Sequence, residues 1–336
     1  MKVWITGIGG LLGSHLADKL IERGDSVGGN DNFICGSPAN VPSRAYFRLF
    51  DCAQSSKIWD FQSCWKKENF GVPDVLVHCA ATAAEGLSVF SPHFITRNIA
   101  EASVRTISAA IAAGVKRIVF FSSMARYGHG NPPFKEDDAT APVDPYGLAK
   151  VYAENVLRVL CEQHGVKWSI VVPHNVIGTR QQITPYRNVA TIFLNRLKLD
   201  LPVYIYGDGE QKRCFSPIRD CLHSLVRVVD GDADGEIVNI GPDGGEITIN
   251  QLLSICEEAV GKKAKRVYLP PRPITDTVTQ AYCSSDKARS LLGYEAQQSM
   301  RECINEMAKS IVPVPFNYSF PIEIEKGCPE TWLKKL

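Results

Sequence analysis

The fold of this chain is decided by the stretch MKVWITGIGGLLGSHL, residues 1–16. Residues 2–6 predict a strand, and residues 10–23 have the apolar spacing of an amphipathic helix. Between them lies a G-x-x-G-x-x-G pattern, formed by Gly7, Gly10 and Gly13. In such a loop the first glycine permits a sharp turn, the second lets the backbone approach a diphosphate, and the third lets helix and strand pack closely. The order strand, turn, helix therefore predicts a dinucleotide-binding loop, with the phosphates at the helix N-terminus.

Apolar runs alternate with helical patterns over the first 180 residues, which is typical of βαβ units around a parallel sheet. Strands are expected at residues 2–6, 26–30, 46–50, 74–78, 117–122 and 168–173, and further helices at 98–113 and 145–164. After about Gly178 the segments are shorter and are interrupted by glycine and proline. We therefore predict a doubly wound parallel α/β sheet of the Rossmann type, with a smaller C-terminal α/β lobe. The expected division is a nucleotide-binding domain at 1–178, a substrate lobe at 179–310 and a tail at 311–336.

Composition and charge narrow the class of protein. Hydrophobic residues make up 45% of the 336 residues and charged residues 22%, as in globular proteins with a buried core. The formal net charge is +1 without a basic stripe, so no nucleic-acid partner is expected. The chain opens on a strand and has no apolar run of transmembrane length, so we expect neither a signal peptide nor a membrane partner. The eleven cysteines show no C-x-x-C pair and no metal-ligand spacing, which predicts reduced thiols, no metal and a cytoplasmic location.

The second strand ends at Asp31-Asn32, about 20 residues beyond the glycines. A carboxylate at this place accepts hydrogen bonds from the adenosine ribose, and its charge repels the 2′-phosphate of NADP. The predicted cofactor is therefore NAD. Two further strand ends fit the same cavity, Asp51-Cys52 beside the adenine and Cys79-Ala80-Ala81 beside the middle of the cofactor, although packing explains either of them equally well.

A catalytic set is indicated by Ser122-Ser123, at the end of strand 117–122, and by Tyr146 and Lys150. The tyrosine and the lysine are four residues apart, so on a helix they share one face. There the lysine ammonium can lower the pKa of the tyrosine and bind the cofactor ribose. A tyrosinate beside a nicotinamide is a general base for a substrate hydroxyl, and Ser123 is expected to hydrogen-bond the same oxygen.

With these motifs in this order, the chain resembles the extended short-chain dehydrogenase/reductases. Within them it is most similar to the nucleotide-sugar epimerases and dehydratases of the UDP-glucose 4-epimerase type. The resemblance covers roughly residues 1–310 and is carried by Thr6-Gly7-x-x-Gly10-x-x-Gly13, Asp31-Asn32, His78-x-Ala80-Ala81, Asn98, Ser122-Ser123-x-x-x-Tyr127-Gly128, Tyr146-x-x-x-Lys150, Asn175 and Gly207-Asp208-Gly209-x-Gln211-x-Arg213. It implies an N-terminal NAD-binding domain, a lobe that binds a nucleoside diphosphate sugar (a UDP-sugar is favoured), and a homodimer.

The family pattern also implies individual site residues. It extends the cofactor-binding set to Leu11, Leu12, Asn98, Ser122 and Pro173. On the substrate side it assigns the diphosphate to Asn175, Arg213 and Arg272. The residue six before Lys287, which is Ala281, corresponds to a position that limits the room around the sugar, or Cys283 if the loop shifts by two; both are small and would leave volume for an N-acetyl group. The chain departs from the pattern at His174, which follows Pro173, and at Cys214.

The loop after Ser123 discriminates between reactions. Related sugar dehydratases carry an Asp-Glu pair there, and decarboxylating relatives keep the glutamate, whereas this chain has Met124-Ala125. Without an added acid or base, the simplest cycle is transient oxidation of a hydroxyl and return of the hydride to the other face of the sugar, which is a 4-epimerase reaction. Two alternatives stay open: a net dehydrogenase or reductase of a nucleotide sugar, and a non-catalytic sensor that kept the cofactor pocket. The intact Ser123, Tyr146 and Lys150 weigh against the sensor.

The helices predicted at 98–113 and 146–162 carry more apolar residues than one sheet can cover. In the family that this chain resembles, the equivalent helices form a four-helix interface between two subunits. The residues expected on that interface are Ile99, Val104, Ile107, Val151, Val156 and Leu160. Packing against the sheet alone is the alternative explanation of such stripes.

Overall fold

The structure, a computed structural model, describes residues 1–54, 58–273, 278–316 and 320–333. In chain order its strands are β1 (Lys2–Thr6), β2 (Ser26–Asp31), β3 (Tyr46–Leu49), β4 (Val75–His78), β5 (Arg117–Phe121), β6 (Lys167–Pro173), β7 (Val176–Ile177), β8 (Val203–Tyr206), β9 (Lys212–Arg213), β10 (Ser216–Pro217), β11 (Ile237–Ile240), β12 (Ile247–Thr248), β13 (Arg266–Leu269) and β14 (Gln280–Ala281). Its α-helices are α1 (Leu11–Glu22), α2 (Ile58–Cys64), α3 (Glu85–Ser88), α4 (Pro92–Thr96), α5 (Ala102–Ala113), α6 (Pro145–His164), α7 (Val189–Lys198), α8 (Ile218–Asp230), α9 (Ile249–Val260), α10 (Asp286–Leu292), α11 (Met300–Ser310) and α12 (Glu330–Leu333).

The main sheet has the order β3-β2-β1-β4-β5-β6-β11, and all of its neighbouring strands are parallel. Both faces are covered: α1 and α8 pack in one apolar layer, and α5 and α6 pack in the other. This explains why β5, with the sequence RIVFF, is almost uninterruptedly apolar. The strand order reverses between β1 and β4, which is where such sheets bind their ligands. The predicted Rossmann fold is confirmed.

The predicted strands are all present, and each end lies within one residue of its predicted place. The helix predicted at 98–113 is longer than the apolar pattern indicated. It begins at Pro92 with α4, continues through a wider π-helical turn at Arg97–Glu101, and ends with α5. Gly114 stops it in the left-handed conformation, with φ +85°.

The second lobe centres on α7, α9 and α11, which share one apolar cluster. Small strand pairs and a three-stranded sheet lie in the same part of the chain: β8 with β13, β7 with β10, and β12-β9-β14. The chain nevertheless returns to the first lobe, because β11 is the edge strand of the main sheet and α8 and α10 pack beside it. The division at residue 178 stays a prediction, and the main sheet takes one strand from beyond it.

The eleven cysteines are free thiols, most of them buried. Among the helices that the structure describes, none combines the length and the apolar character needed to cross a membrane.

Candidate active site

Two cavities meet at the carboxyl ends of the central strands. The first is lined by every residue that the sequence assigned to the cofactor: Gly7, Gly10, Leu11, Leu12, Gly13, Asp31, Asn32, Asp51, Cys52, Cys79, Ala80, Ala81, Asn98, Ser122, Tyr146, Lys150 and Pro173. The second extends into the second lobe and is lined by Ser123, Asn175, Arg213 and Arg272. Tyr146 lies on the walls of both. We call them the cofactor cavity and the substrate cavity.

The glycine turn is packed so closely against neighbouring backbone that Gly7 and Gly13 have no room for a side chain. Gly7 has φ +72°, and a Cβ built on it would lie 2.9 Å from the backbone nitrogen of Ala80. A Cβ on Gly13 would collide with the carbonyl of Gly7. Helix α1 begins after Gly10, and no side chain of the described residues caps its first turn. The N–H groups of that turn therefore remain available for phosphate oxygens, which fits the diphosphate of NAD.

Asp31 lies at the end of β2 with its carboxylate directed back at this turn. Oδ2 accepts from the backbone N–H of Gly9 (2.9 Å), and Oδ1 accepts from that of Phe33 (2.7 Å). Burial raises the pKa of Asp31, while these hydrogen bonds lower it. The carboxylate thus shapes the glycine turn and also presents its charge to the cofactor cavity, where the predicted contact with the ribose would be made.

We expect Asp31→Ala to weaken the preference for NAD over NADP by roughly tenfold or more, because a carboxylate a few ångströms from a phosphate repels it by several kcal/mol. Asp31→Asn keeps the size of the side chain and one hydrogen-bond acceptor. It should also reduce the preference for NAD over NADP, with less damage to the turn. Dissociation constants of both cofactors, measured by titration, check this. Equal affinity of the native protein for NAD and NADP would contradict it.

Helix α6 carries the tyrosine and the lysine. The helix begins at Pro145, and its N-cap Asp144 accepts from the backbone N–H of Gly147 (2.8 Å). Burial and the neighbouring Glu85 raise the pKa of Asp144 to about 7. Tyr146 lies in the first turn, and Lys150 follows one turn later on the same face; both side chains are buried. The first turn of this helix therefore sets the position of the general base proposed below.

Burial holds the pKa of Tyr146 above its ordinary value, although the guanidinium of Arg187 and a hydrogen bond with Ser123 act to lower it. The sequence predicted that the ammonium of Lys150 lowers this pKa, whereas in the structure the cation that does so is Arg187. Nζ of Lys150 donates to the carbonyl of Phe121 (2.7 Å) and lies 5.1 Å from the ring centre of Phe120.

Lys150 remains a cation at neutral pH, although burial lowers its pKa to about 8. It lines the cofactor cavity only, which agrees with a contact to the cofactor ribose. Behind it, both ring nitrogens of His78 form hydrogen bonds. Nδ1 lies 2.7 Å from the hydroxyl oxygen of Thr6, and Nε2 lies 3.0 Å from that of Ser103. Burial lowers the pKa of His78 to about 3, so this ring is neutral and serves packing.

The two serines after β5 have different environments. Ser122 donates its hydroxyl to Glu154, which also forms a buried ion pair with Arg126 (3.1 Å). Ser123 accepts from the backbone N–H of Ala125 (3.2 Å), and both serines line the substrate cavity. Because Ser122 donates its hydroxyl to Glu154, whereas Ser123 hydrogen-bonds with Tyr146, Ser123 is the serine expected to contact a substrate beside that tyrosine.

The charged residues of the site that were not found in the sequence include Arg187 and Glu85. Arg187 lines both cavities, and Glu85, the first residue of α3, lines the substrate cavity. Each comes from a loop or a short helix with no motif of its own. Pairing strands and counting residues would not reveal them, because only the fold brings these segments beside Tyr146.

Three predicted substrate residues lie on one wall of the substrate cavity. Asn175 donates to the carbonyl of Cys214 (2.8 Å), which fixes its side chain beside β7. Arg213, on β9, donates to the carbonyls of Lys212 and Val278 (2.8 and 2.7 Å). Arg272 lies with its guanidinium 5.0 Å from the ring centre of Tyr206. Two guanidinium groups in one cavity suit a diphosphate.

Ala281 does not lie where the sequence placed it. It is 5% exposed, packs in the apolar core that includes Phe134, and is absent from the described lining of the substrate cavity. In the sheet it pairs with Arg213. Cys283, the alternative position, is fully buried. Counting back from Lys287 did not find the cavity wall, because a count along the chain does not show which side chains the core covers.

The departures from the family pattern lie behind the cavity walls. His174 is fully buried, and burial lowers its pKa to about 4. Cys214 is 1% exposed, and its thiol donates to the carbonyl of Gly244 (3.4 Å). Neither residue is among the described lining of the two cavities. They therefore alter the packing beneath the site and not its surface.

Comparison with known proteins agrees with this geometry. A putative UDP-glucose 4-epimerase of Methanocaldococcus jannaschii is 29% identical over 91% of this chain and 96% of its own length. The crystal structure of a Thermotoga maritima UDP-glucose 4-epimerase with UDP-glucose has a TM-score of 0.84 at 29% identity, and covers 92% of this chain and 98% of its own. That of the Thermus thermophilus UDP-glucose 4-epimerase complex with NAD has a TM-score of 0.84 at 26% identity, with the same coverage. The model of the NAD dependent epimerase/dehydratase family matches residues 3–241, and the chain belongs to this family.

Proposed function

We propose that the protein is an NAD-dependent nucleotide-sugar 4-epimerase that acts on a UDP-sugar. The observation that carries the proposal is the position of Tyr146, where the cofactor cavity and the substrate cavity meet. Ser123 stands beside it, and Met124, in place of an acid, lines the same cavity. The UDP-glucose 4-epimerases named above support the same reaction. The roles given to individual residues are part of this proposal.

The chain's own residues divide the reaction among them. Bound NAD supplies a positively charged ring that accepts a hydride. Tyr146 takes the proton of the sugar C4 hydroxyl, and Ser123 holds the same oxygen by a hydrogen bond. Lys150 fixes the cofactor ribose. Once the C4 carbon is a ketone, the sugar would turn in the cavity so that the hydride held on the cofactor returns to the opposite face of C4, and Tyr146 would give the proton back to the C4 oxygen.

A net dehydrogenase or reductase is the second candidate, because an Escherichia coli relative, 27% identical over 92% of this chain, is named dTDP-4-dehydro-6-deoxyglucose reductase. Cofactor stoichiometry separates the two. Purified protein is incubated with a panel of UDP-, GDP-, dTDP- and CDP-sugars, and products are followed by proton NMR. An epimerase brings a UDP-sugar and its C4 epimer to equilibrium without consuming NAD. Product formation in step with cofactor consumption would contradict the proposal.

We also propose that the protein is a cytoplasmic homodimer joined through α5 and α6. Ile99 and Ile107 are fully buried within the chain, so they do not form the interface that the sequence suggested. Other residues of α6 support one: Leu148, Tyr152 and Val159 lie on one face and are 56%, 54% and 65% exposed. Three large apolar side chains on one exposed helix face are typical of a buried contact between subunits.

We expect Leu148→Asp to convert the dimer to a monomer, because a carboxylate in an apolar interface loses its hydration without gaining a partner. Multi-angle light scattering of the native protein at micromolar concentration should give twice the mass of one chain. Val312→Asp, at an exposed apolar residue away from α6, is the matched control and should leave the dimer intact. A monomeric native protein would rule the interface out.

A further inference from the structure

The segment after α11 runs back to the substrate cavity. We call its described residues, 311–316 and 320–333, the C-terminal strap. Near its start the backbone N–H of Val314 donates to Oδ1 of Asn195 (3.1 Å), and the carbonyl of Val314 accepts from Nδ2 of Asn195 (3.0 Å). Nζ of Lys198 donates to the carbonyl of Ile311 (2.8 Å). These contacts fix the strap to α7 of the second lobe.

The strap then docks on the first lobe at the start of α4. The backbone N–H groups of Glu323 and Ile324 donate to the carbonyl of Phe90 (2.8 and 2.9 Å). The carboxylate of Glu323 accepts from the backbone N–H groups of His93 (2.9 Å) and Phe94 (2.8 Å). A carboxylate that satisfies two N–H groups of a first helical turn is also favoured by the helix dipole. The strap therefore joins the two lobes on one side of the substrate cavity.

Aromatic packing holds the end of the strap, α12, against this cavity. The ring of Trp332 lies edge-on to those of Phe90, Tyr186 and Tyr206, at centroid distances of 5.9, 5.3 and 6.4 Å. The hydroxyls of Thr331 and Tyr206 are 2.8 Å apart. Edge-to-face contacts at these distances are favourable, so the indole is fixed in one position. Trp332 is only 5% exposed.

This fixed indole forms part of the cavity wall. Thr331 and Trp332 line the substrate cavity together with Glu85, Gly86 and Arg272. A Cβ on Gly86 would lie 3.3 Å from Cη2 of Trp332 and 2.9 Å from Nη1 of Arg272. The absence of a side chain at Gly86 thus leaves the room in which the indole and the guanidinium meet. Glu85, on the other side, contributes to the charge around Tyr146. Trp332 therefore lines the same cavity as Tyr146 and Arg272, and it packs in the same apolar cluster as Tyr146.

We propose that Trp332 is a specificity-determining residue that packs against the sugar ring of the substrate and limits the room around it. The proposal rests on the function proposed above. Sugar rings present C–H groups that pack on aromatic surfaces, and a fixed indole binds them at little cost in conformational entropy. Trp332 would then have the role that the family pattern implied for Ala281, which is to limit the room around the sugar.

The test compares ligands with and without a sugar by isothermal titration calorimetry on the NAD-loaded protein. In Trp332→Ala, affinity for UDP-glucose should fall by roughly tenfold, the effect of losing one buried aromatic contact. Affinity for UDP should change less than about twofold. Affinity for UDP-N-acetylglucosamine should fall less than that for UDP-glucose, because the truncation opens space. Leu333→Ala, at the exposed neighbour on α12, is the matched control and should bind like the native protein.

A second variant separates contact with the sugar from support of the fold. Glu323→Ala removes the contact that anchors the strap at α4, far from the reacting atoms. It should lower the affinity for UDP-glucose more than the affinity for UDP, because the indole of Trp332 is then held less firmly. The proposal would be overturned if Trp332→Ala lowered the affinities for UDP and UDP-glucose equally or changed neither of them. It would also be overturned if the native protein did not bind UDP-glucose. Trp332-dependent binding of UDP-glucose without any epimerisation would instead refute only the proposed function.

Discussion

Replacing Tyr146 by phenylalanine is expected to lower kcat on a UDP-sugar substrate by roughly 100-fold or more, because the variant loses its general base. The ring itself stays, so the packing of α6 and the shape of both cavities should change little. Affinity for NAD and the unfolding temperature should therefore remain close to those of the native protein. Steady-state kinetics with a coupled assay, together with an NAD titration, measure these quantities.

Tyr268→Phe is the matched control for this variant. It removes the same hydroxyl from an exposed tyrosine on β13 that lines neither cavity, and its kcat should equal that of the native protein. If Tyr146→Phe kept near-native kcat, another group would have to take the proton of the substrate hydroxyl. Glu85 would then be the first residue to examine, because it lines the same cavity.

The second large effect concerns the glycine turn. Gly13→Ala should weaken NAD binding by roughly 10- to 100-fold, the equivalent of about 1–3 kcal/mol of overpacking strain. The added methyl group would meet the carbonyl of Gly7 and lie 3.1 Å from Cα of Ile8. Both are backbone atoms, which cannot turn aside as a flexible side chain would. Helix α1 would have to move away from β1, and the phosphate-binding N–H groups would move with it.

Gly244→Ala is the control for this substitution, because a Cβ at that position meets no atom within 4 Å. It should bind NAD like the native protein. The unfolding temperature measured without NAD distinguishes local displacement of the turn from general destabilisation. Native NAD affinity in Gly13→Ala would contradict the assignment of this loop to the diphosphate.

The sequence predicted those parts of the molecule that depend on local order. A strand, a glycine turn and a helix follow each other within 16 residues, so the position of Gly7, Gly10 and Gly13 needs no knowledge of the rest of the fold. Tyr146 and Lys150 were paired for the same reason, since helical spacing alone puts them on one face.

The residues that were missed reach the site through long-range packing. Arg187 and Glu85 lie on segments without periodicity, and only the assembled sheet brings them beside Tyr146. The docking contact of the strap was not foreseen either. Glu323 accepts from the backbone N–H groups of His93 and Phe94, which lie 230 and 229 residues away along the chain. Ala281 was assigned to the cavity by a count along the chain, which does not show that the core covers its side chain.

The central claim is transient oxidation at C4 with return of the same hydrogen. It is tested most directly with UDP-glucose deuterated at C4, incubated in ordinary water with the NAD-loaded protein and followed by NMR. UDP-galactose should form with its deuterium still at C4, and the amount of oxidised NAD should show no net change. Exchange of the C4 label with solvent, or recovery of substrate without any C4 epimer, would rule out transient oxidation at C4.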